Sequence, residues 1–92
     1  MEFRVLQTAE LSQTAIMTLE PGEASGPKEN EHAQSEQTLY LTEGELHAEI
    51  GDRSFTMRAG DSAIVARNQA HKFTNRSQKR AVTFNVYAPP AY

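Results

Sequence analysis

The sequence predicts an all-β domain, a sandwich or barrel of about eight or more short antiparallel strands. Three observations carry that prediction. Apolar residues recur with period two along most of the chain, and no segment sustains a helical period. Turn signals built on Gly, Pro, Asn and Asp interrupt the alternation at short, regular intervals. The 92 residues form one domain, 1–92, and a chain of this length buries only about two-thirds of its unfolded surface, so the core is thin.

Taken in order, Phe3 and Val5 alternate with Glu2 and Arg4 in a first short strand. Ala15, Met17 and Leu19 alternate with Thr14, Ile16 and Thr18 in a second, which stops at Pro21–Gly22. The stretch EPGEASGPKENEHAQSE, residues 20–36, is a long loop by composition, and loops of that length in a small domain tend to carry function. Thr38–Thr42 is the next strand, turned by Glu43-Gly44-Glu45. Leu46, Ala48 and Ile50 form the inner face of the one after, which sends His47 and Glu49 outward. Gly51–Asp52 turns that strand into one carrying Phe55 and Met57, and Ala59-Gly60-Asp61 turns again. Segments 62–66, 71–74 and 81–87 complete the set. Tyr40, Phe55, Phe73 and Phe84 are read as core, the usual place for aromatics.

Composition excludes several function classes. A chain 38% hydrophobic and 23% charged folds rather than stays disordered, and no apolar run approaches the ~20 residues of a membrane helix. With no cysteine, thiolate chemistry and zinc ribbons are out. The first residues, MEFRVLQTAEL, carry neither a basic leader nor a long apolar segment, so the expectation is a cytoplasmic protein. Charge is uneven: residues 1–50 carry ten acids against Arg4 and Lys28, and the remainder seven bases against Asp52 and Asp61. In an interleaved β fold the two halves share surfaces. The basic cluster Arg76, Lys79, Arg80 has no aromatic platform beside it, so no nucleic acid partner is expected.

The stretch GDSAIVARNQAHKFTN supplies Gly60, Ala66, Asn68, His71 and Asn75. Their spacing resembles the second cupin motif, G-x5-P-x-G-x2-H-x3-N, with Ala66 for Pro and Asn68 for Gly. Asn is the non-glycine residue that best tolerates positive φ. The segment GPKENEHAQSEQTLYLTEGE resembles a degenerate first cupin motif, G-x5-H-x-H-x3–4-E-x6-G, closing on Gly44. Counting back, the glutamate position falls on Gln37 and the two histidine positions on His32 and Asn30. The resemblance runs from Ala15 onward, and VYAPPAY, residues 86–92, is similar to the tail of a subgroup of small cupins.

That resemblance implies a cupin-type double-stranded β-helix, with His71 pointing into the barrel mouth opposite the residues of the first motif. The family site holds Fe, Mn, Ni, Cu or Zn on three histidines and a glutamate. By position this chain offers Asn30, His32, Gln37 and His71, of which only the two histidines are strong ligands. Glu31 and Glu36 stand one residue away and could supply the missing carboxylate. On a strand a one-residue step is the opposite face, but a bulge or loop geometry around 30–37 would bring either back, and Glu36 is a candidate pocket residue. Tyr40 and Phe84 are candidates for contacting a ligand, and Asn75 for fixing a turn. Three readings stay open: a cupin that binds a small molecule with or without a divalent metal, a metal-dependent dioxygenase or isomerase using His32 and His71, and a structural β module. Exposed sheet edges and a thin core lead to a homodimer built on residues 1–7.

Overall fold

The computed structural model describes residues 1–30 and 32–92. Eight strands run in chain order: β1 (Glu2–Thr8), β2 (Gln13–Leu19), β3 (Glu36–Glu43), β4 (Glu45–Ile50), β5 (Arg53–Arg58), β6 (Ser62–Val65), β7 (His71–Thr74) and β8 (Ala81–Ala88). They form a five-stranded sheet in the order β1-β2-β8-β3-β6 and a three-stranded sheet in the order β5-β4-β7, all pairs antiparallel. The two sheets face one another and bury Leu19, Leu39, Leu41, Leu46, Ile50, Met57, Val65 and Phe73 between them.

Register decides what faces inward. On the large sheet, Leu19 lies opposite Ala81, and Met17–Thr83–Leu41 forms the next rung. Ala15–Asn85–Leu39–Ala63 and Gln13–Tyr87–Gln37–Val65 follow. One end of the interior is therefore aliphatic, and amides and a phenol dominate the other. On the small sheet Ile50 pairs with His71, which places the histidine at the start of β7.

The same period corrects the core assignment of two aromatics. Tyr40 sits between inward Leu39 and Leu41 and is 44% exposed. Phe84 sits between inward Thr83 and Asn85, and its half-buried ring faces the outside of the sheet across from Tyr40 and Ile16. Alternation overrides hydrophobicity here: β8 turns Thr83 and Asn85 inward and Val82, Phe84 and Val86 outward.

The long loop is tied to β7 almost as a further strand. Gly22 N donates to Asn75 O and Asn75 N to Glu23 O; Ser25 N donates to Phe73 O and His71 N to Glu29 O, each at 2.8–3.0 Å. Asn75 closes the far side. Its amide nitrogen donates to Leu19 O and Lys79 O, and its oxygen accepts from the Ser77 amide and hydroxyl. This is the turn-fixing role that its spacing suggested. Asn68 adopts φ 63° in the β6–β7 turn, as its place in the motif required. The Glu23 side of the loop is also tied to the chain start: the Met1 ammonium donates to the Glu23 carboxylate at 2.6 Å. That bond, together with the Glu20 amide, holds the Glu23 carboxyl below its ordinary value.

Gly44, between β3 and β4, has φ +89°, and a Cβ there would fall against the Arg80 carbonyl oxygen and within 2.9 Å of Ala81 Cα. Gly22 has a similar φ of +86° with nothing near. Urea denaturation should therefore show Gly44→Ala losing about 3 kcal/mol or more, since strain and clash add. Gly22→Ala should lose only about 1–2 kcal/mol, the left-handed backbone cost alone.

Candidate functional site

The polar end of the interior opens into a cavity of about 240 Å³. His32, Gln37 and His71 line it together, so three of the positions singled out by the motifs meet in one place. Around them stand Phe3, Met17, Phe73, Tyr87 and Tyr92. The rings form a continuous series: Phe3 to Tyr92 4.7 Å between centroids, Tyr92 to Tyr87 5.0 Å, Tyr87 to His32 5.2 Å, and His32 to His71 4.5 Å.

Below the histidines a polar ladder descends into the core. His32 Nε2 lies 2.8 Å from Gln37 Oε1, and Gln37 Nε2 donates to Asn85 Oδ1 at 2.9 Å. Asn85 Nδ2 donates to Thr83 Oγ1 at 2.8 Å, and Thr83 donates to the Met17 carbonyl at 3.2 Å. The last acceptor sets the direction of the whole series. A carbonyl only accepts, so Thr83 donates to it; Asn85 must then present its NH₂ to Thr83 and its oxygen to Gln37. Gln37 in turn presents its oxygen upward, and His32 must carry a proton on Nε2. The other ring nitrogen of His32, Nδ1, lies 3.4 Å from Ser35 O. That contact is too long to compete with the 2.8 Å bond for the single proton of the neutral ring. Every buried side-chain polar atom among the described residues has a partner, as buried amides require. His71 is held differently. Its Nδ1 donates to Gln69 O at 3.0 Å, which fixes the orientation of the ring.

The remaining positions lie elsewhere. Asn30 is exposed, and its Nδ2 donates to Asn68 Oδ1 at 2.8 Å. It stitches the loop to the β6–β7 turn instead of facing the cavity; neither Asn30 nor His32 lies in a strand, so the two-residue spacing between them does not mean a shared face. Glu36 is exposed on the opposite side of β3 from Gln37. Tyr40 and Phe84 are on the outer face and away from the cavity. Glu31 lies outside the described residues. His47 is on the outward face of β4, as expected.

A transition metal is poorly served by the described residues. They hold no group of three or more His, Asp or Glu side chains arranged to bind one. His32 Nε2 carries a proton given to Gln37, and the Gln37 oxygen is engaged by it. Among the described residues the donor set therefore does not fit a dication while the ladder runs in this direction.

Sequence reading missed Tyr87, Asn85 and Thr83 as site residues, and Tyr92 and Phe3 as walls. For the first three the signal was the inward period of β8, which runs Ala81, Thr83, Asn85, Tyr87, concealed by the more hydrophobic residues between them.

A family model described as a cupin domain matches residues 15–87. Among solved structures, TT1209 from Thermus thermophilus is 25% identical, with a TM-score of 0.86 over 96% of this chain and 82% of that one. BH2720 from Bacillus halodurans has a TM-score of 0.91 at 21% identity, over 98% of this chain and 71% of that one. A sugar phosphate isomerase of the cupin superfamily from Silicibacter pomeroyi is 25% identical with a TM-score of 0.76; 85% of this chain matches 50% of that one. No curated protein sequence matches the chain.

The ladder yields a direct spectroscopic expectation. Long-range ¹H–¹⁵N correlation at mildly alkaline pH should place the His32 proton on Nε2 and show His71 protonated at Nδ1. Gln37→Leu strands His32 Nε2–H and Asn85 Oδ1, and should cost about 2–3 kcal/mol in urea denaturation.

Proposed function

We propose that this chain, which belongs to the cupin family by its match over residues 15–87, is a small-molecule-binding cupin. Its ligand enters the His32–His71 end of the barrel and is held by hydrogen bonds and ring contacts without needing a metal. The observation that supports this best is the polar ladder, which commits His32 Nε2 and Gln37 Oε1 to hydrogen bonding. His71, Gln37 and Ser25 on the cavity wall suit a carbonyl, hydroxyl or carboxyl head group, while Phe3, Met17, Phe73 and Tyr87 suit an apolar body.

Size and charge narrow the ligand. About 240 Å³ is below the ~300–1,000 Å³ of drug-sized sites, so a single ring with one polar substituent is the natural fit. No Lys or Arg is among the described residues lining the cavity, and the Met1 ammonium at its edge is paired with Glu23. A phosphoryl group, with close to two negative charges, would meet no guanidinium or lysine among these residues, whereas a singly charged carboxylate asks for less. This sets the proposed ligand apart from the substrate class named for the Silicibacter relative. The second reading, a metal-dependent enzyme using His32 and His71, draws on the closeness of the two imidazoles. It requires the ladder to reverse.

Self-association belongs to the same proposal. Val5 and Leu6 on edge strand β1 are 39% and 42% exposed, and a second copy would cover them. Leu6→Glu should shift a dimer to monomer in sedimentation; an unchanged dimer removes β1 from the interface.

Protein stripped with EDTA should bind monocyclic phenols or carboxylic acids in an NMR titration, with shifts at Gln37, His71 and Tyr87. His32→Ala and His71→Ala should each weaken that binding by about tenfold, the scale of a hydrogen bond whose loss leaves a buried polar group unpaired. Binding that appears only after Mn, Fe or Ni is restored would transfer the assignment to the metal-dependent reading. Gln37→Glu puts a carboxylate beside the histidines, and calorimetry should show it raising Ni²⁺ or Zn²⁺ affinity by at least about tenfold over the wild type.

A further inference from the structure

Gln13 opens β2 on the inner face, opposite Tyr87, and is 2% exposed. A buried amide is costly unless satisfied, and this one is satisfied mainly by a segment outside both sheets. Its Oε1 accepts from Ala91 N at 3.1 Å and Tyr92 N at 3.0 Å, and its Nε2 donates to Tyr92 O at 2.7 Å and to Thr8 Oγ1 at 2.8 Å. The side chain thus presents a donor and an acceptor to a peptide as a neighbouring strand would. Residues 89–92 belong to no strand, so Gln13 supplies the backbone bonds that a sheet would otherwise give the tail.

What the tail carries is the Tyr92 ring. It stands 4.7 Å from Phe3 and 5.0 Å, edge-on, from Tyr87, whose own ring lies against His32. Tyr92 lines the cavity and yet stays 54% exposed, so burial of apolar area does not explain its place. A ring in that position forms an outer wall over the polar end of the barrel. A wall held through side chains, outside either sheet, is of the kind that opens locally while the sheets stay folded.

We propose that Gln13 is a positioning residue and Tyr92 a specificity-determining residue: residues 89–92 form a latched wall that controls entry to the His32–His71 cavity and favours flat rings over puckered ones. The selectivity follows from geometry. A planar ring meets Tyr92, Tyr87 and Phe3 at stacking or edge-to-face separations, whereas a saturated ring of the same size holds its hydrogens against those faces. This rests on reading the cavity as a ligand site, and the experiment separates the two.

Wild type, Tyr92→Ala and Gln13→Leu are compared in two ways. Diethyl pyrocarbonate modification, resolved residue by residue by mass spectrometry, reports access to His32 and His71, with His47 on the outer face as the internal reference. Titration with 4-hydroxybenzoate and with 4-hydroxycyclohexanecarboxylate reports selectivity. Both variants should speed modification of His32 and His71 by about tenfold, as expected for opening of a local barrier, and leave His47 unchanged. The wild type should prefer 4-hydroxybenzoate by about fivefold, the scale of one ring–ring contact, and both variants should lose that preference. Tyr92→Ala keeps the latch, which grips the backbone, and decides the matter alone if Gln13→Leu does not fold. Wild-type values for both readouts in Tyr92→Ala would overturn the inference. If neither compound binds while the histidines become more reactive in the variants, the wall is upheld and it is the ligand assignment above that fails.

Discussion

The Met17 carbonyl is the fixed point of this molecule's chemistry. It accepts from Thr83, and through Asn85 and Gln37 that one-way demand reaches His32 and chooses which of its nitrogens is protonated. Thr83, Asn85, Gln37 and His32 are tolerable inside a thin core because each satisfies the next; a single break would leave buried donors or acceptors without partners. The same ladder that stabilises the interior also restrains the site above it. A histidine whose Nε2 proton is already given to Gln37 has no lone pair on that nitrogen for a metal.

The site is assembled from parts far apart in the chain, and short polar ties hold them in place. His32 comes from the long loop, Gln37 from the start of β3, His71 from the start of β7, and Tyr87 from the end of β8. The Glu29–His71 backbone bond and the Asn30–Asn68 side-chain bond draw the loop against the turn that precedes β7. Asn75 anchors the other end of β7 to Leu19 and to the β7–β8 turn. Asn30 thus serves the site by shaping the loop: a ligand position of the family motif is a structural position in this chain.

Two amides stand in comparable places and do different work. Gln37 replaces a carboxylate expected at its position and transmits the ladder to His32. Gln13, at the same rung of the large sheet, faces the tail and holds it by its backbone. Between them lies Tyr87, packed against Tyr92 on one side and His32 on the other. The wall and the hydrogen-bonding floor of the cavity are therefore joined through one ring.

By itself the sequence determined the class of fold, the turn positions and the histidine pair. Period-two alternation, the Gly44 and Asn68 turns and the spacing of Asn75 from His71 are local constraints, set by backbone geometry within a few residues. The inward direction of β8 was beyond it, because Phe84 and Val86 are the more hydrophobic residues and only pairing with β2 and β3 shows that Thr83 and Asn85 face the core. The place of Tyr40 outside, of Asn30 away from the cavity and of Tyr92 beside it are decisions of the same kind. Each depends on which residue of a distant segment supplies the pairing or packing partner, and that is a property of register and closure, which no local pattern encodes.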